Sequence, residues 1–249
     1  MKNFLHDLQT AVSFLTRLPM PHPEGAQPSN FTRCAWLFPL VGAAIGAIVA
    51  TVNLGLRAVN VPGIAAAALS LGFGALLTGA LHEDGLADVA DGFGGGKDRN
   101  AKLEIMRDSR LGTYGALILM VVFATKASAI AAAPGEMSVR GLIAAHALSR
   151  GVLPLMRLTL GPARTDGLAA SAGTPNVRVA TAAGLLALAI GFLALRWQLA
   201  LAAVLLVGGC VSVMVWIARR QIGGLTGDVL GGTQQVCETT ILLLIAASH

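Results

Sequence analysis

Long apolar stretches alternate with short polar segments along the whole chain. Because a membrane-spanning helix needs about 20 mainly apolar residues, the pattern predicts about six or seven such helices. They are expected at residues 35–56, 62–82, 111–133, 141–160, 179–195, 198–218 and 235–248. The last stretch is short enough to be a partial span. The fold class expected is therefore an all-α, polytopic membrane helix bundle.

The N-terminal residues follow a different pattern. Apolar side chains recur there at helical spacing, at Phe4, Leu5, Leu8, Val12 and Leu15. This predicts a short amphipathic helix at the membrane interface, ending before Pro19. Asp7 and Gln9 interrupt the apolar run, which excludes a signal peptide. We expect one transmembrane domain over residues 1–249, with residues 1–34 as its N-terminal amphipathic segment.

Composition supports a lipid environment. Hydrophobic residues make up 55% of the chain and charged residues 12%, about half the charged fraction of a soluble domain. The net charge of +5 does not indicate a nucleic-acid partner, because basic residues collect on the cytoplasmic loops of membrane proteins. The three cysteines are scattered and form no CxxC pair, so neither a disulfide framework nor a zinc site is indicated.

The basic residues also predict an orientation. With the N-terminus in the cytoplasm, twelve lysines and arginines lie on the cytoplasmic side and three, Arg57, Arg140 and Arg196, lie outside. This arrangement places three segments on the cytoplasmic side, namely residues 83–110, 161–178 and 219–234. The candidate chemistry of the chain lies in these segments.

Four of the 13 acidic residues lie within residues 82–96, HEDGLADVADGFGGG. Asp84, Asp88 and Asp91 are spaced i, i+4 and i+7, so on a helix they share one face, with Glu83 about 100° to the side. Carboxylates aligned in this way repel one another unless a cation neutralises them.

The acidic stripe is therefore a candidate metal site. Oxygen ligands favour hard cations, so Mg²⁺ is expected at Glu83, Asp84, Asp88 and Asp91, with Mn²⁺ or Ca²⁺ as alternatives. Mg²⁺ usually completes its shell with water and substrate phosphates. The alternative interpretation is a solvated acidic helix end.

The stripe leads into a glycine-rich and then a basic segment. Gly92 and Gly95 are candidate phosphate-binding residues, because glycine lets the backbone approach a ligand, although a flexible turn explains the run equally well. Residues 98–108 are predicted to form a short helix with Leu103 and Met106 toward the bilayer. Arg110 in this basic segment is a candidate phosphate ligand; ordinary charge on a cytoplasmic loop is the alternative.

Asp228 is isolated in a second glycine-rich segment, between Gly224 and Gly232. Small residues at this spacing let one helix approach another closely. Asp228 is thus predicted to reach the acidic stripe, as a further metal ligand or as the general base; a helix cap or turn aspartate is the alternative.

Basic residues also lie inside the apolar stretches. Lys126 and Arg150 are candidate ligands for a diphosphate, because charges within a membrane are costly and usually functional. A structural ion pair with a carboxylate of the metal site is the alternative for both. Arg157 either shares a face with Arg150 or snorkels to the surface. His146, like His82 at the start of the stripe, is more typical of a packing or helix-end histidine than of a ligand.

The segments HEDGLADVADGFGGG and MRDSRLGTYG, together with FLTRLPMP near the N-terminus, resemble the cobalamin synthase family, also called adenosylcobinamide-GDP ribazoletransferases. The resemblance runs from Phe14 to beyond Gln234. It implies a Mg²⁺-dependent phosphotransferase of the bacterial inner membrane. Such an enzyme joins adenosylcobinamide-GDP to α-ribazole or its 5′-phosphate and releases GMP.

The resemblance implies metal and diphosphate roles for Glu83, Asp84, Asp88 and Asp91. Residues 83–110 would then be a cytoplasmic catalytic loop. The proposed roles of Asp228, Lys126 and Arg150 come from the residue pattern instead. Either Asp91 or Asp228 is expected to take the hydroxyl proton of the acceptor.

A looser similarity connects the chain to the CDP-alcohol phosphotransferases, with their DxxDGxxAR and GxxxDxxxD motifs. Asp88 to Gly92 matches the first part, but Gly95 and Gly96 replace the Ala-Arg pair. Asp228 matches the second part, while Gly232 replaces its last aspartate. A phosphotransferase with a lipid acceptor and a cation-coupled transporter are the alternative functions. The sequence leaves open whether the chain forms a homo-oligomer.

Overall fold

The computed structural model describes residues 2–21, 29–165 and 173–248, and these form a bundle of helices. Parts of the predicted segments 1–34 and 161–178 therefore lie outside the described residues. The helices are α1 Lys2–Leu15, α2 Ser29–Cys34, α3 Phe38–Ala58, α4 Gly63–Thr78, α5 Leu81–Gly95, α6 Arg99–Ile105, α7 Thr113–Ala132, α8 Gly135–Gly151, α9 Leu153–Met156, α10 Val177–Ala194, α11 Trp197–Ile222 and α12 Gly227–Ala246. The all-α prediction is confirmed.

Five helical segments in the described ranges are long and apolar enough to cross a membrane, and α4 with α5 would make a sixth. The five are Thr32–Ala58, Thr113–Ala132, Val177–Ala194, Trp197–Ile222 and Gly227–Ala246. The chain is therefore a multi-pass membrane protein, as its hydropathy pattern predicts. The number of spans is at or just below the lower end of the predicted range.

The predicted fourth span accounts for part of this difference. In place of one helix over 141–160, α8 ends at Gly151 and the short α9 follows. Gly42 of α3 faces α8 so closely that an added Cβ would lie 2.3 Å from the His146 carbonyl oxygen. His146 and Arg150 are buried, which explains how this polar helix lies inside the bundle.

The C-terminal helix is longer than predicted. Instead of a partial span over 235–248, α12 extends from Gly227 to Ala246 and qualifies as a full span. Thr226 caps its N-terminus by accepting a hydrogen bond from Val229 N over 3.2 Å. Polar residues near its middle, including Gln234 and Glu238, are buried against other helices. Their polarity lowers the hydropathy on which the sequence prediction depends.

A sharp bend separates α4 from α5. The two helices meet at 93°, because Gly79 and Ala80 adopt left-handed φ angles of 66° and 55°. Arg17, just beyond α1, supports the bend, since its backbone N–H donates to the Leu77 carbonyl over 2.8 Å. The predicted loop 83–110 therefore consists largely of helices α5 and α6, which follow the bend.

Helix α6 packs inward rather than toward the bilayer. Leu103 and Met106, predicted to face lipid, are buried and join a small apolar cluster with Val89 and Ile222. Asp98 caps the helix by accepting a hydrogen bond from Ala101 N over 2.9 Å. The prediction of a short helix is confirmed. The apolar face of this helix packs against α5 and α11 instead of facing lipid.

The predicted N-terminal amphipathic helix is present as α1. Phe4 and Leu5 are exposed, whereas Ala11 and Leu15 are buried. Phe14 stacks on Phe38 at the start of α3, with ring centroids 5.6 Å apart. Helix α1 is thus fixed to the bundle on one face and leaves apolar side chains outward on the other.

Candidate active site

The acidic helix α5 crosses the C-terminal helix α12 at a point where no side chain fits between them. A Cβ added at Gly85 would lie 2.9 Å from the Asp228 carbonyl oxygen, and one at Gly231 would lie 3.2 Å from His82 Cα. The predicted close approach of Asp228 to the acidic stripe is therefore present. Its glycines differ in part, because Gly224 precedes α12 and packs against Ala163 instead.

Carboxylates and arginines meet beside this crossing. Asp84 and Asp228 line a cavity of about 310 Å³ that also includes Arg157 and Arg164; we call it the acidic cavity. The half-buried Asp88 interacts electrostatically with Asp84, Asp91, Asp228 and Arg164. The three segments predicted to share the cytoplasmic side therefore meet at one end of the bundle. Residues 83–110 and 219–234 contribute carboxylates, and residues 161–178 contribute Arg164.

Backbone pairing places Arg164 next to Asp228. Leu225, two residues before α12, donates to the Gly161 carbonyl over 2.8 Å, and Ala163 N–H donates to the Leu225 carbonyl over 2.9 Å. Arg99 of α6 holds the same region by donating to the carbonyls of Ile222 and Ala163. As a result, Arg164 Nη2 lies 3.5 Å from Asp228 Oδ2.

Asp228 lies in the first turn of α12 but is not its N-cap. Thr226 is the N-cap residue, which rules out the cap alternative. The side chain of Asp228 is 20% exposed. Its Oδ2 atom is buried and has no hydrogen-bond partner among the described residues. The contact of this oxygen with Arg164, at 3.5 Å, is an ion pair longer than an ordinary hydrogen bond. Because buried acceptors nearly always accept a hydrogen bond, Oδ2 can take a closer donor group, a cation or an ordered water.

Asp91 is turned toward the start of α7. Gly112 N–H donates to its Oδ2 and Gly115 N–H to its Oδ1, both over 2.8 Å. This carboxylate therefore satisfies amides that the helix itself leaves unpaired. Both of its oxygens accept hydrogen bonds, whereas Oδ2 of Asp228 has an ion pair with Arg164 but no hydrogen bond among the described residues.

Glu83 points to the opposite side of the crossing. Its Oε1 accepts a hydrogen bond from Gln235 Nε2 over 3.0 Å, and it lines a different cavity from Asp84. Within the ranges that the structure describes, no three His, Cys, Asp or Glu side chains are grouped closely enough to hold a metal ion. A cation here would need water or substrate oxygens as further ligands, which is usual for Mg²⁺.

The glycines after the stripe are helical. Gly92 and Gly95 lie in the last turn of α5, and Gly96 N–H donates to the Gly92 carbonyl over 3.0 Å. Gly92 packs against Met106, where an added Cβ would lie 2.5 Å from Cγ. The glycine run thus brings α5 against α6 instead of forming an open phosphate-binding loop.

Arg110 lies away from the acidic cavity. Its side chain is 87% exposed and pairs with Asp108, with Nη2 and Oδ2 2.5 Å apart. Hydrogen bonds from the Arg110 side chain and backbone lower the pKa of Asp108 to about 2. The described contacts of this arginine are with its own turn.

Lys126 and Arg150 bind a carboxylate that the sequence analysis did not select. Lys126 Nζ lies 2.6 Å from Glu238 Oε1, and Arg150 Nη1 lies 3.3 Å from Glu238 Oε2. His146 Nδ1 is 3.2 Å from the same Oε2. We call Lys126, His146, Arg150 and Glu238 the buried charge network. Both basic residues thus form an ion pair, but with Glu238 rather than with a carboxylate of the acidic stripe.

Three residues of these sites were not predicted from the sequence, for different reasons. Glu238 lies in an apolar stretch, and an ionisable residue there is itself a functional or structural signal. Arg164 appears in the sequence as one loop charge among several, and its place beside Asp228 depends on tertiary pairing. Phe14 likewise lines the acidic cavity, although its position in α1 gives no indication of this.

Comparisons with known proteins agree with the resemblance. A profile of the family described as cobalamin-5-phosphate synthase matches residues 7–246. A protein named adenosylcobinamide-GDP ribazoletransferase from Bradyrhizobium diazoefficiens is 44% identical over 99% of this chain and 95% of its own length. A protein of the same name from Rhizobium etli is 41% identical over 100% and 99%.

A third relative with this name, from Azorhizobium caulinodans, is 40% identical over 96% of the chain and 94% of its own length. No solved structure is significantly similar to the chain. Both the profile match and the relatives extend across nearly the whole sequence, including every carboxylate described above. The chain belongs to the cobalamin-5-phosphate synthase family.

Proposed function

We propose that this chain is an adenosylcobinamide-GDP ribazoletransferase. The reaction joins adenosylcobinamide-GDP to α-ribazole or its 5′-phosphate, giving adenosylcobalamin or its 5′-phosphate and GMP. The observation that carries the proposal is that the buried Oδ2 of Asp228 has no hydrogen-bond partner among the described residues and that Asp228 shares a cavity with Asp84 and two arginines. Family membership favours this reaction over a lipid phosphotransferase or a transporter.

The charges of the acidic cavity suit transfer of a phosphate group. Such reactions depend mainly on positioning the reactants and stabilising charge on phosphate oxygens. Arg157 and Arg164 line the cavity and would bind the diphosphate of the donor. Arg164 is 3.5 Å from Asp228, so a phosphate held by this arginine lies close to the carboxylate.

Asp228 is the general base in this proposal. It takes the proton of the acceptor's ribose hydroxyl as the hydroxyl oxygen bonds to the phosphorus that carries the corrinoid side chain. The bond between that phosphorus and the bridging oxygen breaks, and GMP leaves with the electron pair. Asp91 is less suited to this role, because both its oxygens accept hydrogen bonds from the start of α7.

Asp84 and Asp228, which share the acidic cavity, would supply protein ligands to Mg²⁺, or to Mn²⁺ in its place, and water or phosphate oxygens would complete its shell. Their carboxylate oxygens, together with the negative charge of Asp88 nearby, suit a hard cation. When bound, the ion would neutralise the diphosphate and stabilise the departing GMP. Glu83 and Asp91 would not be direct ligands, because Glu83 lines the cavity on the other side of the crossing and both oxygens of Asp91 bind the start of α7.

The apolar part of the cavity would hold the base of the acceptor. Phe14 and Phe38 line this part and stack on each other, so aromatic rings border it. Fused-ring bases bind well against such surfaces. With the base there, the ribose would point toward Asp228 at the polar end of the same cavity.

The proposed location is the bacterial inner membrane, with the acidic cavity facing the cytoplasm. The distribution of lysine and arginine supports this orientation. A cysteine introduced at Asn100 should be protected from impermeant thiol reagents in intact cells, whereas one at Glu136 should react. The opposite labelling pattern would reverse the orientation.

The proposed reaction is tested with the full-length protein in vesicles. Adenosylcobinamide-GDP, radiolabelled α-ribazole and Mg²⁺ should yield labelled cobalamin and an equal amount of GMP, and chelation of the metal should stop both. Labelled diacylglycerol with a CDP-alcohol tests the lipid phosphotransferase. Label in a phospholipid, with none in cobalamin, would overturn the proposal.

A further inference from the structure

A second cavity lies on the other side of the crossing between α5 and α12. It has a volume of about 390 Å³ and is bordered by α3, α4 and α7, which is within the size range of small-molecule sites. We call it the apolar cavity. Because the backbones of α5 and α12 touch at Gly85 and Asp228, this cavity is separate from the acidic one.

The walls of the apolar cavity face the bilayer at one edge. Leu71 of α4 and Leu119 of α7 line it, together with Met120 and Phe123. Met120 is 66% exposed and Phe123 is 43% exposed, and both belong to the candidate span α7. A molecule in this cavity would therefore reach the hydrocarbon of the membrane between α4 and α7.

The floor of the cavity is polar. Glu83, Gln235 and the buried charge network line it. Formal charges there cancel, because Lys126 and Arg150 are balanced by Glu238 and Glu83. A charged head group in this cavity would thus bring a charge that the surrounding protein does not compensate, at a high energetic cost in a medium of low dielectric constant.

Three residues of the floor carry buried polar atoms without a hydrogen-bond partner among the described residues. They are Glu83 Oε2, His146 Nε2 and Arg150 Nε. Arg150 is 2% exposed and His146 is 5% exposed. An unpaired buried donor or acceptor costs about 1–3 kcal/mol, so the floor is incomplete without a further polar group.

We propose that the apolar cavity binds a neutral membrane lipid with a free hydroxyl group, of the diacylglycerol type. A hydroxyl can donate to Glu83 and accept from Arg150, which supplies both kinds of missing bond. The uncharged head matches the balanced floor, and the acyl chains pass between α4 and α7 into the bilayer. The lipid is a structural ligand, because the contact between α5 and α12 lies between its cavity and that of Asp228.

The cavity can be filled without touching the acidic site. Ala75 of α4 lines the apolar cavity, so Ala75→Phe would occupy it. Ala124 on α7 is exposed and does not line it, so Ala124→Phe is a matched control with the same change on a neighbouring helix. Each full-length variant would be reconstituted in phosphatidylcholine vesicles that contain a trace of diacylglycerol with a photoreactive acyl chain.

After irradiation, peptides are mapped by mass spectrometry. In the wild-type protein we expect labelling of residues 119–126. The labelling should fall at least about tenfold in Ala75→Phe, as for the loss of one strong interaction. It should be unchanged in Ala124→Phe. Excess unlabelled diacylglycerol should remove the label from the wild type, whereas phosphatidylglycerol should not.

Three results would overturn the proposal. They are equal labelling in both variants, equal competition by phosphatidylglycerol, and competition by α-ribazole in place of diacylglycerol. The competition measurements use the wild-type protein, so they decide the question even if Ala75→Phe does not fold. Turnover of the corrinoid substrate is not part of this readout, so failure of the proposed reaction would leave the result interpretable.

Discussion

The acidic cavity and the buried charge network both combine carboxylates with basic side chains, but they differ in how closely the carboxylate is paired. In the network, Glu238 contacts Lys126, Arg150 and His146 at 2.6–3.3 Å, and its charge is compensated. In the acidic cavity, Asp228 Oδ2 lies 3.5 Å from Arg164 and has no hydrogen-bond partner among the described residues. Closely compensated charges hold helices together, whereas a carboxylate with one distant partner is available to a ligand.

This difference separates residues that look alike in the sequence. Asp228 and Glu238 are ten positions apart on the same helix, and both are acidic residues in a membrane-spanning segment. Removing the first should affect the reaction, and removing the second should affect the fold. The variants below test this division.

The largest effect is expected for Asp228→Asn. Loss of the general base should lower kcat by about 10²- to 10⁴-fold and flatten the pH dependence of kcat. The variant should still insert into the membrane and should unfold at the same temperature as the wild type. A rate measured across Mg²⁺ concentrations would show a higher Mg²⁺ requirement if Asp228 also binds the ion. Unchanged turnover at all Mg²⁺ concentrations would show that Asp228 is neither the general base nor a metal ligand.

Glu238→Gln should act on stability instead. It leaves Lys126 and Arg150 without their buried counter-charge, and breaking a buried pair in this way costs about 3–5 kcal/mol. Thermal unfolding in detergent would detect the loss. The control is Glu136→Gln, whose exposed pair with Arg140 is worth about 0.2–1 kcal/mol at most. Equal melting temperatures for the two variants would contradict the role of the network.

Asp91→Asn should give a smaller and mixed effect. It keeps the shape of the side chain but weakens two hydrogen bonds at the start of α7, so we expect a stability loss of about 0.5–2 kcal/mol. The decrease in kcat should be smaller than for Asp228→Asn at equal folded fraction. A loss of turnover as large as that of Asp228→Asn, with wild-type stability, would show that Asp91 takes part in the reaction.

The smallest effect is expected for Arg110→Ala. This arginine is exposed and contacts Asp108, so kcat/KM should change by less than about threefold, as for other exposed pairs. Arg164→Ala provides the contrast, because it removes the cation beside Asp228 and should raise KM for the diphosphate substrate. Similar kinetics for both variants would show that Arg164 does not hold phosphate.

Most spans, and the approach of Asp228 to α5, could be predicted because apolar length and the small residue Gly232 are local signals. Gly224, the other glycine of the predicted spacing, packs against Ala163 instead. The partners of Asp91 and Glu238 could not be predicted. Asp91 meets Gly112 and Gly115 only after α5 and α7 have packed together, and Glu238 pairs with residues from two other helices. The bend after α4 depends on a left-handed Ala80, which alanine rarely adopts and which no sequence pattern indicated.

Three helices begin where the carboxylates meet. Glu83 and Asp84 lie in the first turn of α5, Asp228 lies in the first turn of α12, and Asp91 binds amides at the start of α7. The aligned peptide dipoles of a helix give its N-terminus about half a positive charge. The backbone thus provides a positive potential around the acidic residues before any ion or substrate binds. Such a potential would allow a diphosphate to approach a group of aspartates at a membrane boundary.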